Sequence, residues 1–164
     1  GILEMLEKCG LIKQNRVLFQ EIRPFEPFEA AGYTVTPLPA NHDPASGPVF
    51  FLIEDGEKSL LYANDTGWFP DETWAYIRGR HYDLVSLDCT LLAHKEGTNH
   101  MGVEDVLETQ KKLIEIGCAD ENTVWVINHF SHNGGILHEE LEERMKPHGF
   151  IVAYDGLEVL TKKK

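Results

Sequence analysis

Residues 59–67 read Ser-Leu-Leu-Tyr-Ala-Asn-Asp-Thr-Gly, an apolar run of strand character that stops at a polar element containing Asp65. Two other apolar runs end in the same way: residues 33–39 before Asn41-His42, and residues 123–127 before Asn-His-Phe-Ser-His at 128–132. Strand ends are where open α/β sheets present their chemistry. We therefore expect His42, Asp65 and His129 to converge on one metal ion.

The composition favours an ordinary globular protein with a single domain spanning residues 1–164. Hydrophobic residues make up 42% of the chain and charged residues 26%. A net charge of −12 disfavours long nucleic acids as partners. No apolar run reaches the roughly 20 residues of a membrane helix, so no membrane association is expected. Three scattered cysteines and the lack of a secretion-signal pattern favour a reducing, cytoplasmic location.

Hydrophobic periodicity predicts several strands followed by alternating strands and helices, which indicates an α/β protein with a mixed sheet covered by helices on at least one face. A hairpin turn is predicted at residues 54–57, with Gly56 at a position of positive φ. The predicted strands cover residues 17–22, 33–38, 49–53, 59–63, 84–87, 123–127, 150–153 and 157–160. The predicted helices cover residues 2–9, 70–77, 103–116 and 136–146.

Each of the three convergent residues also has an ordinary explanation. His42 is either a metal ligand or a loop histidine with local hydrogen bonds. Asp65 either bridges cations or caps the helix predicted a few residues later, and capping is the commoner role. His129 and His132 are three residues apart, and they are either functional or one buried and one surface histidine.

Two further residues are candidates of a different kind. Asp88 ends the strand predicted at residues 84–87, where it either supports metal ligands or simply terminates the strand. His100 lies just before the helix predicted at residues 103–116, and it is either a general acid or part of the helix N-terminus, for which Asn99 is itself a good cap. Glycine-rich nucleotide loops and a nucleophile-elbow motif are absent from the sequence.

Taken in this order, the motifs resemble those of the metallo-β-lactamase superfamily, and most closely the branch with the phosphonate-operon cyclic phosphodiesterase and the tRNA 3′-processing endonucleases. The similarity spans about residues 33–160. The segments that carry it are residues 39–42, 62–67, 87–89, 98–100, 127–132 and 153–158. The resemblance implies a hydrolase with up to two divalent metal ions, zinc or manganese, which activate a hydroxide between them.

The resemblance also implies a role for each residue. His42 would complete the ligands of the first metal ion, Asp65 would bridge the two ions, and His129 would bind the second. His100 would donate a proton to the leaving group. His132, Asp88 and Asn41 would support the ligands or contact the substrate.

One feature of the superfamily is missing: the His-x-His-x-Asp-His signature of its N-terminal half occurs nowhere in this sequence. The expected fold is therefore half of a four-layer α-β-β-α sandwich, with the N-terminal half absent, and the three positions would form a site for one metal ion. A lone half exposes an apolar sheet face, so we expect a homo-oligomer or packing on the missing N-terminal half. The expected function of the parent protein is metal-dependent hydrolysis of small phosphodiesters, and the isolated chain is expected to be inactive or weakly active. The alternative is a catalytically incomplete binding or assembly module.

Overall fold

The computed structural model describes residues 2–10, 19–95 and 98–161. Within these residues, seven strands form one sheet in the order of the sequence, β1 to β7. The strands are β1 Phe28–Ala30, β2 Tyr33–Pro39, β3 Val49–Glu54, β4 Ser59–Ala63, β5 Leu84–Asp88, β6 Val124–Asn128 and β7 Phe150–Val152. The helices are α1 Ile2–Lys8, α2 Asp71–Ile77, α3 Val103–Glu115 and α4 His138–Met145.

The sheet is mixed, as the sequence predicts. Strands β1 to β4 form an antiparallel meander, and the predicted hairpin joins β3 to β4 with Glu54 opposite Ser59. Strands β4 to β7 are parallel neighbours, connected in turn through α2, α3 and α4. Because parallel strands connected by right-handed crossovers in one direction place their helices on the same side, these helices cover one face of the sheet.

The two faces of the sheet differ in burial. On the helix side, Leu61, Val85 and Leu87 have no solvent exposure, and they share one core with side chains of all three covering helices: Trp74, Val106, Leu113, Leu141 and Met145. On the other side, Tyr62 and Ile151 keep 40% and 37% exposure. The side-chain alternation of the strands therefore produces one sealed apolar face and one apolar face that is only partly covered.

Two predicted strands are not found in the described residues. Residues 157–160 are irregular despite their apolar alternation, and so are residues 19–22, while residues 17 and 18 lie outside the described ranges. A strand needs a neighbour to complete its hydrogen bonds, and β propensity alone does not supply one. None of the helices in the described ranges combines the length and hydrophobicity that a bilayer span requires.

Candidate metal centre

The parallel register brings three predicted residues to one edge of the sheet. Ala63, Leu87 and Ile127 lie side by side near the ends of β4, β5 and β6. Asp65 follows the first of these positions by two residues, and Asp88 and His129 follow the other two by one and two residues. Residues distant in the sequence therefore converge because their strands end at the same level.

Four side chains form a cluster that can hold a metal ion: Asp65, Asp88, His100 and His129 each offer a ligand atom within 4.8 Å of the others. His129 Nε2 and His100 Nδ1 each lie 3.8 Å from Asp65 Oδ1. Ligand atoms around 2 Å from a common ion are separated by roughly 3 to 3.5 Å, so these spacings are close to those of a coordination shell. Two imidazoles and two carboxylates suit zinc or manganese.

His42 lies at the margin of the cluster. Its Nε2 atom is 3.3 Å from Asp65 Oδ1, and its ring meets the His100 ring edge-on with centroids 4.9 Å apart. His42 is not among the four residues whose ligand atoms mutually converge. Its predicted ligand role stays a prediction, now with a measured position beside the central carboxylate.

Asn41 connects the loop that carries His42 to the loop that carries Asp65. Its backbone N–H donates to Thr66 Oγ1 at 2.9 Å, and its carbonyl oxygen accepts from the Gly67 N–H at 2.8 Å. Its side-chain amide donates to the Trp68 carbonyl oxygen at 3.2 Å. These contacts explain how two loops from non-adjacent strands hold His42 against Asp65.

Asp65 and His129 both have backbones in the left-handed region, with φ of 57° and 65°. Residues with a Cβ atom enter this region at a cost of about 1–2 kcal/mol, although aspartate tolerates it better than most. Such conformations concentrate at functional sites, where the surrounding structure enforces them. The same sharp turn occurs just beyond β4 and β6, the two strands that flank β5, and each time it brings a potential metal ligand to the sheet edge.

Asp88 is fully buried, and its carboxylate contacts both imidazoles of the cluster. Its Oδ1 accepts from the backbone N–H groups of Thr90 and Met101 at 2.9 and 3.1 Å. Its Oδ2 faces His100 Nδ1 at 3.1 Å and His129 Nδ1 at 3.2 Å. At His129, this contact at Nδ1 fixes the ring and leaves Nε2 free to face Asp65, whereas at His100 the same Nδ1 atom faces both Asp88 and Asp65. Asp88 is therefore placed to orient both imidazoles.

Sequence reasoning did not identify Thr90 and Ser86, which complete the support of the site. The Thr90 hydroxyl lies 2.7 Å from both His129 Nδ1 and the His129 carbonyl oxygen. Ser86 accepts from Asn128 Nδ2 at 2.9 Å and donates to Asn64 Oδ1 at 3.3 Å, which connects the residues just before His129 and Asp65. A serine inside the apolar run of β5 was the only signal available for this chain of hydrogen bonds.

Cys89 follows Asp88 but is not a candidate ligand. The residue is fully buried, and this burial, together with the nearby Asp88 charge, raises the pKa of its thiol to about 12. Metal binding and nucleophilic attack both require the thiolate. Cys89 therefore stays a neutral core residue at physiological pH.

His132 lies outside the four-residue cluster. The side chain is exposed, and it lines a cavity together with Phe130, Ile136 and His138. Its predicted part in supporting ligands or contacting substrate stays a prediction, and its position lies on the cavity side of the loop that follows His129.

The chain belongs to the metallo-β-lactamase superfamily: the family model for the β-lactamase superfamily domain matches residues 2–130. This match covers more than half of the chain and includes His42, Asp65, Asp88, His100 and His129. The predicted family and the mixed α/β fold are thereby confirmed.

Solved structures show the same fold at low sequence identity. A diphosphatase from the PhnP family is 21% identical, with a TM-score of 0.61, and the match covers 94% of this chain and 53% of that protein. YhfI from Bacillus subtilis, a metallo-β-lactamase fold protein, is 19% identical, with a TM-score of 0.62 and coverage of 89% and 60%. Zn²⁺-bound PqqB from Methylobacterium extorquens is 20% identical, with a TM-score of 0.66 and coverage of 96% and 61%.

The chain thus spans between 53% and 61% of the length of these three structures. No curated protein sequence matches it significantly.

Proposed function

We propose that this chain carries the carboxyl-terminal part of a metal-dependent hydrolase site for small phosphodiesters. The observation that supports this most is the convergence of Asp65, Asp88, His100 and His129 at one sheet edge. The PhnP-family neighbour is described as a diphosphatase, which favours phosphoryl compounds as the substrate class. The net charge of −12 favours small substrates over long nucleic acids.

Asp65 and His129 are the proposed metal-holding residues, with His42 as a further ligand beside Asp65. A bound zinc or manganese ion would supply Lewis-acid polarisation of a phosphoryl oxygen and activation of the attacking water. Asp88 holds the His100 ring through Nδ1 at 3.1 Å. His100 is therefore the proposed general acid: as the ester P–O bond breaks, it gives its proton to the departing alkoxide oxygen.

The residues in this chain suffice for one ion rather than two, since the His-x-His signature is missing from the sequence. We propose that the incompletely covered sheet face, which includes Tyr62 and Ile151, packs on a second copy or on an N-terminal half of the fold. Sedimentation at micromolar concentration is expected to show a dimer of the isolated chain. A monodisperse monomer would count against self-association.

Metal content tests the site. We expect Asp65→Ala, His129→Ala and His42→Ala each to weaken zinc or manganese binding by about 10-fold or more, because each removes a potential ligand or its neighbour. The measurement is metal content after dialysis, by mass spectrometry, with circular dichroism to check folding. His81→Ala is the matched control, since His81 pairs with Asp120 away from the cluster. Unchanged metal content in all three variants would disprove the assignment.

The lack of the histidine signature also favours a second function, a catalytically incomplete binding or assembly module of the same fold. Hydrolysis of bis(p-nitrophenyl) phosphate, measured together with metal content, separates the two. Metal-dependent turnover that disappears in His100→Ala, with metal still bound, supports the hydrolase. A folded chain with no bound metal and no turnover supports the module. The free state of all three cysteines agrees with a cytoplasmic setting for either function.

A further inference from the structure

A cavity of about 290 Å³ lies along the loop that leaves the candidate metal centre. Its lining includes the apolar residues Leu92, Phe130, Ile136 and Leu137 and the imidazoles of His132 and His138. We call it the Phe130 cavity. None of its lining residues belongs to the metal cluster.

The loop that lines the Phe130 cavity begins at the metal centre. Phe130 directly follows His129. The Ser131 N–H donates to the carbonyl oxygen of Thr90, whose hydroxyl contacts His129. Gly134 packs against Leu92, a residue of the cavity wall, so closely that any Cβ atom at this position would overlap the leucine side chain.

The size and chemistry of the cavity fit a planar apolar group. An engineered cavity of roughly 150 Å³ with an apolar lining is enough to bind benzene. Here the walls are mostly aliphatic and aromatic, and Leu137 at the rim is 76% exposed. An aromatic ring of a ligand would therefore remove apolar surface of both partners from water.

His138 adds one polar feature to this lining. Its Nε2 atom is buried and has no hydrogen-bond partner among the described residues. Its Nδ1 atom faces Glu142 Oε2 at 3.9 Å. The imidazole therefore adds a polar group to a lining that is otherwise largely apolar.

We propose that the Phe130 cavity binds an aryl or similarly sized apolar ester group of the substrate, and so gives the site a preference for aryl phosphodiesters over short alkyl ones. This inference rests on the proposed function for the phosphoryl end of the substrate. Binding of the aryl group depends only on the residues of the cavity. The aryl-binding proposal and the proposed hydrolase function can therefore fail separately.

Phenylphosphonate and methylphosphonate are suitable probes, because they share the phosphonyl group and differ only in the apolar part. With zinc-loaded protein, we expect phenylphosphonate to bind at least about 10-fold more tightly by calorimetry, since a buried ring contributes well over 1.4 kcal/mol. In amide NMR spectra, phenylphosphonate should shift Phe130, Ile136 and Leu141, and methylphosphonate should not. Equal affinities, with no shifts at these three amides, would overturn the proposal.

Ile136→Trp is expected to fill the cavity and to bring the affinity ratio of the two probes close to one. Ile114→Trp is the matched control, because Ile114 is 49% exposed on α3 and does not line the cavity. The control should keep the wild-type ratio. If Ile136→Trp does not fold, the shift map of the wild-type protein still decides the question.

Phenol titrated into the metal-free protein separates the cavity from the metal site. Shifts at Phe130 and Ile136 would support the cavity even if the protein bound no zinc and the proposed hydrolase function failed. No shift at either amide, in a protein that binds zinc and cleaves phosphodiesters, would reject the cavity and leave the proposed function intact.

Discussion

Strand β5 has a buried aspartate at each end, and the two have different surroundings. Asp83, just before the strand, meets Lys58 Nζ at 2.7 Å and accepts from the Ser59 N–H at 3.0 Å. Asp88, the last residue of the strand, has no lysine or arginine among its hydrogen-bond and ion-pair contacts in the described ranges. Its ionisable neighbours are the imidazoles of His100 and His129.

The comparison separates a structural carboxylate from one available for function. The charge of Asp83 is balanced by a permanent cation, and this pair ties β4 to β5. Asp88 instead orients two titratable rings next to Asp65, whose carboxylate is 56% exposed. Two carboxylates and two imidazoles without a fixed cation form a set of ligands that a divalent ion would complete.

Substitutions at the two ends of β5 should give the largest effects, one on stability and the other on metal affinity. Lys58→Met leaves Asp83 buried without this cation, so we expect the free energy of unfolding to fall by about 2–3 kcal/mol with metal affinity unchanged. Asp88→Asn should weaken metal binding by about 10–100-fold, because the two imidazoles lose the carboxylate that orients them. Urea denaturation and calorimetric metal titration measure the two quantities.

The distinction between Asp83 and Asp88 would be wrong if the two substitutions had the opposite effects on metal affinity. A Lys58→Met protein that loses its metal affinity, or an Asp88→Asn protein with wild-type affinity, would mean that the two edges are not divided between structure and function.

A substitution at the strained turn of Asp65 should change the free energy of unfolding by a smaller amount than Lys58→Met, and in the opposite direction. In metal-free buffer, Asp65→Gly should raise the free energy of unfolding by about 0.5–1 kcal/mol, because glycine adopts φ near 57° without the Cβ penalty. The same change should lower metal affinity. Denaturation and metal titration of one preparation test both statements.

Ala31 provides the matched control, since its φ is 51° in the turn between β1 and β2. Ala31→Gly should raise stability by a similar amount without any effect on metal binding. Loss of stability in Asp65→Gly alone would show that the aspartate side chain, rather than the backbone, dominates at this position.

Replacing Tyr82, the residue before Asp83, should have the smallest effect on stability at neutral pH. Its hydroxyl is buried without a hydrogen-bond partner in the described residues, and burial raises its pKa above the ordinary value of 10.0. The folded state thus disfavours the phenolate, so the stabilisation is complete below pH 10 and is lost as the pH rises above it. Tyr82→Phe should be within about 0.5 kcal/mol of wild type at pH 7.

Between pH 10 and 11, the wild type should lose about 1 kcal/mol more than Tyr82→Phe. The measurement is denaturant unfolding across this range. Parallel alkaline losses in the two proteins would mean that the phenol ionises equally in the folded and unfolded states.

The sequence predicted the sheet well where a residue pattern is sufficient. Strands β2 to β6, helix α3 and the turn at Gly56 follow from apolar alternation, helical periodicity and glycine placement. Residues 157–160 show the limit, because their alternation resembles that of a strand but no neighbouring strand pairs with them. Periodicity reports which faces can be buried, not whether a partner is present.

The same division applies to the site. Asp65 and His129 are predicted as metal ligands because each follows an apolar run, and His100 is predicted as a general acid just before a clear helix. Residue type and position along the chain are sufficient for these predictions. The sequence by itself therefore determined which residue types stand at the strand ends, and with them the family. Only the tertiary structure decided that Asp88 lies beneath both imidazoles, that His42 stays at the margin, and that Ser86 connects two asparagines, because these contacts depend on strand register and on the left-handed turns at Asp65 and His129.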